Sequence, residues 1–250
     1  MKHQRNEQST AIAWIAAYVL IMMLADAASE RLGVTKCVTA PASLLLSAVL
    51  YMQIRRGGHR AYYGLGRGSG AKGKTVLFYL PLLVLATSNL WNGVTVRLGA
   101  LETALYVISM CSVGFLEELI FRGLLFRALS KNGLKRAIVI SSLTFGIGHL
   151  FNLLAGAEGF STLLQICYAT AVGFLFTLIF LKSGSLLPCI LTHAAINATN
   201  AFAVPGGMAN QMIHSAILIA ISLLYALFLL RKQEGAAAGA ARATLPDGRN

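Results

Sequence analysis

Eight mainly apolar stretches alternate with short polar segments along the 250-residue chain. Each is close to the roughly 20 residues that an α-helix needs to cross a bilayer. They cover approximately residues 11–28, 38–54, 75–91, 101–126, 136–155, 161–181, 185–203 and 212–230. The pattern predicts an all-α fold, a polytopic transmembrane helical bundle of about eight spans.

The composition agrees with a multi-pass integral membrane protein. Hydrophobic residues make up 56% of the chain and charged residues only 12%, which is too apolar for an ordinary soluble domain. We predict a polar N-terminal lead at 1–10, one membrane domain at 11–231 and a disordered cytoplasmic tail at 232–250. The motifs discussed below lie in a core at about 100–200.

The positive charge of the chain predicts its orientation in the membrane. The formal net charge is +12. With a cytoplasmic N-terminus, the opposite side of the membrane holds only Arg31, Lys36 and Arg97 among all Lys and Arg residues. Because basic loops remain in the cytoplasm, both termini are predicted to be cytoplasmic. The basic loops then face lipid head groups, and nucleic acid is not an expected partner.

The first apolar stretch has a second interpretation. A basic start, a short apolar run and Ala25-Asp26-Ala27 are also typical of a signal peptide with its cleavage site. The apolar stretch continues past that site through Ala28, which favours a retained helix.

A phosphate-binding pattern occurs by chance in the longest loop. Residues 68–75 fit G-x-x-x-x-G-K-[ST], whose mechanism requires a buried strand before it and a helix N-terminus after it. The residues before it form no apolar run, and a membrane span with Pro81 follows. We therefore predict no nucleotide binding.

Three motifs place polar side chains inside the apolar segments, where each costs several kcal/mol if it is unpaired. They are Glu117-Glu118-x-x-x-Arg122, Phe145-x-x-x-His149 and His193-x-x-x-Asn197.

Helical spacing predicts how these side chains cooperate. Glu118 and Arg122 are four residues apart and can form an ion pair, which leaves Glu117 to face the interior of the bundle. His193 and Asn197 share one face of their helix. The depths of these residues along straight helices predict a single site near the middle of the membrane, opening toward the cytoplasm.

The chemistry of this set suits hydrolysis of an amide bond. A buried carboxylate can take a proton from water, an imidazole can orient that water, and an imidazole with an amide can stabilise an oxyanion. Gly146 and Gly148 beside His149, with Gly114 and Gly123 around the Glu pair, are expected to let the helices approach closely.

The ordered set of motifs resembles the CPBP family of intramembrane proteases, which includes type II CaaX prenyl endopeptidases and bacteriocin-processing or self-immunity proteins. The resemblance implies that Glu117 activates water together with His149, and that His193 and Asn197 stabilise the oxyanion. It implies supporting roles for Glu118 and Arg122.

A metal site is the alternative chemistry for the same side chains. If the enzyme depended on a metal, Glu117, His149 and His193 would be a plausible zinc set. The sequence contains no H-E-x-x-H motif, and a metal-free glutamate mechanism suits the same residues. We therefore predict no cofactor.

Three functions compete at this stage. The first is an intramembrane endopeptidase that cleaves a membrane-associated substrate, either a prenylated CaaX-type protein or a bacteriocin-like peptide. The second is a non-proteolytic membrane scaffold or bacteriocin immunity protein of the same fold. The third is a proton-coupled transporter, which the lack of a detectable inverted repeat disfavours.

Overall fold

The computed structural model describes residues 2–66 and 79–243, and it describes side chains within 6–66 and 79–231. This part of the chain is helical and contains no β-strand, apart from an isolated bridge between Val94 and Ala203. The helices are α1 (Lys2–Arg31), α2 (Thr39–Arg56), α3 (Leu80–Ala86), α4 (Ala100–Glu118), α5 (Arg127–Ser130), α6 (Leu134–Gly148), α7 (Phe151–Leu154), α8 (Gly159–Ser183), α9 (Leu187–Thr199) and α10 (Met208–Ala243). The prediction of an all-α fold is confirmed.

Five helices in the described ranges are long and apolar enough to cross a membrane. They are Asn6–Arg31, Ala100–Ser130, Leu134–Leu154, Gly159–Ser183 and Met208–Arg231. The other three predicted segments also contain helices, but α3 and α9 have only 7 and 13 residues and α2 ends in two arginines. The chain is an integral membrane protein, while the number of eight spans and the orientation of the termini stay predictions.

Two further predictions concern the edges of the described ranges. The phosphate-binding pattern at 68–75 lies outside the described residues. Helix α10 continues to Ala243, within the segment that was predicted as a disordered tail, and residues 244–250 lie outside the described part of the chain. The division into lead, membrane domain and tail stays a prediction.

Local sequence signals set both ends of α8 and the turn that leads from α8 into α9. Glu158 caps α8 by accepting hydrogen bonds from the backbone N–H groups of Phe160 and Ser161, which also lower the pKa of its carboxyl group. Gly184, with φ at 68°, ends α8 in the left-handed conformation. Pro188 lies in the first turn of α9, where its missing N–H is tolerated. The short connection reverses the chain.

Helix α4 occupies the centre of the bundle. It packs along α2 and α9, while α8 packs against both α6 and α10. Helix α1 contacts α2 and the segment that follows α4. Helices α1, α4, α6, α8 and α9 therefore meet around the end of α4, where Glu117 and Glu118 lie.

The segment after α4 differs from the straight α-helix that the sequence predicts. Leu119–Phe126 forms a π-helix, and all eight of its residues are buried. Such segments are rare and often accompany functional sites. Arg122 lies in this π-helix, one turn beyond Glu118.

Two of the predicted glycine contacts are present. A Cβ atom on Gly114 would lie 2.7 Å from the backbone nitrogen of Ala194, so only glycine lets α4 approach α9 this closely. A Cβ atom on Gly146 would overlap the Thr170 hydroxyl of α8. These contacts set the distances between the helices that carry the three motifs.

The other two glycine predictions were wrong. A Cβ atom on Gly148 would have no neighbouring heavy atom within 4 Å among the described residues. One on Gly123 would lie 3.0 Å from Leu119 of its own helical segment and only in ordinary contact, at 3.6 Å, with Leu186. Neither position is a close approach between helices.

Replacement of Gly114 by Ala is expected to push α9 away from α4 by a few tenths of an ångström and to lower activity by about 10-fold, since small misplacements of catalytic groups are expensive. Turnover by the membrane protein measures the effect. Gly148→Ala is the matched control and should leave turnover unchanged. Equal activity of both variants would show that the α4–α9 contact does not position the site.

Candidate active site

The predicted ion pair between Glu118 and Arg122 is present in the interior. Arg122 Nη1 lies 3.0 Å from Glu118 Oε1, and both side chains are 0% exposed. His193 Nδ1 lies 2.8 Å from the same oxygen. Because an ionised carboxylate can only accept, Nδ1 carries a proton when Glu118 is charged. Glu118 thus joins α9 to the end of α4.

Arg122 is surrounded by aromatic rings. The centre of its guanidinium group lies 4.0 Å from the ring of Phe145 and 5.8 Å from that of Phe176. A Cβ atom on Gly173 would lie 2.9 Å from Arg122 Nη2, so this glycine makes room for the guanidinium group. Cation–π contacts therefore supplement the ion pair.

Several buried polar atoms of this pair have no hydrogen-bond partner among the described residues. They are Oε2 of Glu118 and both Nε and Nη2 of Arg122. Buried groups of this kind are usually satisfied by ordered water. The two side chains hold the helices together at a substantial desolvation cost.

Glu117 points to a different set of partners. Its Oε1 accepts a hydrogen bond of 2.6 Å from the Tyr18 hydroxyl, and its Oε2 lies 3.5 Å from His193 Nε2. The side chain is 13% exposed. A distance of 3.5 Å exceeds the usual hydrogen-bond length, so the imidazole does not hold this second oxygen in a short hydrogen bond. The prediction that Glu117 faces the interior agrees with this geometry.

Tyr18 is a site residue that the sequence reasoning missed. It lies on α1 and is 99 residues from Glu117 along the chain. No motif contains it, and the only signal was a hydroxyl-bearing side chain inside an apolar stretch. Its 2.6 Å bond fixes one carboxylate oxygen and leaves the other free for chemistry.

Replacement of Tyr18 by Phe is expected to reduce kcat by about 10-fold with little change in KM, since a hydrogen bond to a charged group contributes about 1.5–3 kcal/mol. The measurement is steady-state cleavage by the purified protein. Tyr225→Phe removes a hydroxyl from α10 and serves as the control. A rise in KM at constant kcat would instead assign Tyr18 to substrate binding.

His149 and Asn197 border an inner cavity of about 60 Å³ next to His193. Its other walls are mainly apolar, and they include Phe145 and Phe176. The ring of Phe145 packs edge-on against both His149 and His193. A cavity of this size has room for a few water molecules. The structure thus brings residues of all three motifs into one place.

A larger cavity of about 420 Å³ adjoins the inner one, because Gln165 and Asn197 border both. It lies at the end of the bundle where α8 and α10 begin and α9 ends. The basic loops occupy the other end. The predicted opening toward the cytoplasm and the predicted cytoplasmic location of the basic loops therefore disagree, and both stay predictions.

The proposed zinc set was compared with the observed geometry. Within the described ranges, no three His, Cys, Asp or Glu side chains are arranged to hold a metal ion. His193 directs Nδ1 to Glu118 at 2.8 Å, and its Nε2 lies against Glu117 at 3.5 Å. In this arrangement Glu117, His149 and His193 do not fit the ion.

The segment that carries the three motifs matches a known protein family. Residues 99–199 match the model of the family described as type II CAAX prenyl endopeptidase Rce1-like. All three motifs fall within this segment, and the match confirms the family resemblance that they predicted. No curated protein and no solved structure matches the chain.

Proposed function

We propose that this chain, whose residues 99–199 match the model of the type II CAAX prenyl endopeptidase Rce1-like family, is an intramembrane endopeptidase. It hydrolyses a peptide bond in a membrane-associated substrate by using Glu117 to activate water. The observation that carries the proposal is the geometry at Glu117. One carboxylate oxygen is fixed by Tyr18 and the other faces His193 across 3.5 Å, and His193 borders a cavity that has room for water.

Glu117 acts as the general base. Its Oε2 takes a proton from the attacking water, while Oε1 stays bonded to Tyr18. His149 orients the same water, as its position beside His193 on the inner cavity suggests. The proton then passes to the leaving amine, so that Glu117 serves as base and acid in turn.

His193 and Asn197 stabilise the oxyanion. They are four residues apart on α9 and border the same cavity. With one proton of His193 directed at Glu118, donation to an oxyanion requires a second proton on Nε2. The resulting positive charge on His193 would offset the negative charge of Glu117, as the guanidinium group of Arg122 offsets that of Glu118. An amide donor from Asn197 completes the pair of hydrogen-bond donors.

Glu118 and Arg122 are positioning residues. They are fully buried, and Glu118 fixes the ring of His193 through its 2.8 Å contact with Nδ1. The substrate is a membrane-associated peptide of the CaaX-type or bacteriocin-like class. The mechanism needs no metal, since the base, the orienting imidazole and the oxyanion donors are all protein side chains.

The test compares protein and peptide termini in host cells that carry the wild type or Glu117→Gln at equal membrane levels. New termini that vanish in the variant are expected, and they identify the substrate. If the termini are unchanged and the cellular phenotype persists in the variant, the chain acts as a scaffold or immunity protein.

A further inference from the structure

The larger cavity, called the vestibule here, is bordered mainly by amide and hydroxyl side chains. Its volume of about 420 Å³ is in the range of ligand-binding sites. The polar walls include Asn89, Gln165, Asn200 and Gln211. No Asp, Glu, Lys or Arg is among the described residues that border it. Such a surface offers both hydrogen-bond donors and hydrogen-bond acceptors, and it has no charged side chain that would favour a charged ligand.

The vestibule leads to the proposed catalytic side chains. Gln165, Tyr168, Ile196 and Asn197 border both it and the inner cavity. Asn197 is the proposed oxyanion donor. A chain that occupied the vestibule would therefore lie directly beside the proposed oxyanion donor.

The polar walls are already held in place by their own contacts. Ser161 donates to Gln211 at 2.7 Å, and Asn152 donates to Gln165 at 2.9 Å. Asn200 donates to the Tyr106 hydroxyl at 2.8 Å. These bonds join the ends of several helices, which preorganises the surface for a ligand.

One buried group in the wall has unused hydrogen-bonding capacity. Nε2 of His214 has no hydrogen-bond partner within the described part of the chain. The ring packs edge-on against Trp91 and borders the vestibule. A polar ligand atom would satisfy this nitrogen.

The vestibule and the basic loop between α5 and α6 lie at opposite ends of the bundle. The walls of the vestibule come from the ends of helices on the side that holds Arg97, whereas Lys131, in the loop before α6, and Lys135, in the first turn of α6, lie at the opposite end. The start of α1 contacts that basic loop through the Glu7–Lys131 ion pair, with Nζ 2.7 Å from the carboxylate. Because basic loops remain cytoplasmic, the vestibule belongs to the non-cytoplasmic side.

We propose that the vestibule binds an extended, uncharged polar segment of a peptide that reaches the enzyme from the non-cytoplasmic side. This inference rests on the proposed function and narrows its substrate class. Amide and hydroxyl groups suit a peptide backbone, whose N–H and C=O groups need partners at membrane depth. An exported peptide meets this requirement, whereas a prenylated cytoplasmic protein would approach from the other side.

The experiment uses cysteine variants of the full chain in a background with Ala at positions 37, 111, 167 and 189. Gln211→Cys lies in the vestibule wall, and Lys135→Cys lies at an exposed position in the first turn of α6, at the opposite end. Intact cells are treated with a charged, membrane-impermeant thiol reagent. We expect Gln211→Cys to react from outside and Lys135→Cys to react only after the cells are opened. The reverse pattern would overturn the proposal.

Cleavage is then followed in the same cells before and after labelling. Labelling of Gln211→Cys is expected to lower the formation of new termini by about 10-fold or more, because a bulky group fills the vestibule. The Lys135→Cys protein should be unaffected. External labelling without loss of cleavage would overturn the role in substrate binding. Absence of Glu117-dependent cleavage in the unlabelled parent would instead refute the proposed function, whatever the labelling pattern.

Discussion

Replacement of Glu117 by Gln is expected to lower the cleavage rate by about 10²–10⁴-fold, the usual contribution of a positioned general base. The amide has nearly the shape of the carboxylate but cannot take a proton from water. It can still accept the Tyr18 hydrogen bond through its oxygen. Because Glu117 is partly exposed and does not belong to the buried ion pair, the fold should be retained.

The measurement is turnover by purified protein in nanodiscs, with thermal unfolding followed in the same samples. Glu102→Gln is the matched control. Glu102 lies near the start of the same helix, where its Oε1 accepts a 2.9 Å hydrogen bond from the Thr35 backbone. The control should cleave at the wild-type rate. Loss of unfolding stability in Glu117→Gln that accounts for the loss of turnover would assign Glu117 a structural role.

Replacement of Arg122 by Met is expected to lower the free energy of unfolding by about 3–5 kcal/mol, because it leaves Glu118 as a buried charge without its main counterion. Glu118 is fully buried, and its remaining contact is His193. The Phe145 ring also loses the guanidinium group that covers it. Activity should fall with the folded fraction.

The double variant Glu118→Gln with Arg122→Met separates charge from packing. Removal of both charges is expected to recover part of the lost stability, with a coupling energy of about 0.5–3 kcal/mol in a double-mutant cycle. Chemical or thermal unfolding in detergent gives these values. Arg136→Met, at an exposed position near the start of α6, is the control and should change little. If the changes in unfolding free energy of the two single variants simply add up in the double variant, the ion pair does not stabilise the fold as a unit.

The sequence predicted the parts of the site that depend on local spacing. Residues four apart on one helix face each other, and the Glu118–Arg122 pair follows from that rule. The cost of polar groups in apolar segments also explains why the three motifs come together, since each motif needs the others as partners.

Contacts between distant segments could not be predicted in the same way. Tyr18 and Glu117 are 99 residues apart in the sequence, and no periodicity of the sequence predicts that they form a hydrogen bond. The π-helix at Leu119–Phe126 changes the helical spacing that the prediction assumed to be regular. The vestibule depends on how helix ends pack, which depth along individual helices does not describe. Apolar length alone does not decide which segments span the membrane, since α3 and α9 have only 7 and 13 residues.

The most direct test of the central claim is single-turnover cleavage in H₂¹⁸O of the substrate that the comparison of termini identifies. Wild-type protein and Glu117→Gln are used in nanodiscs at equal folded concentration. We predict that the wild type places ¹⁸O in the new C-terminal carboxyl group and that the variant forms about 100-fold less product in the same time. Cleavage by Glu117→Gln at the wild-type rate would contradict hydrolysis by a Glu117-activated water.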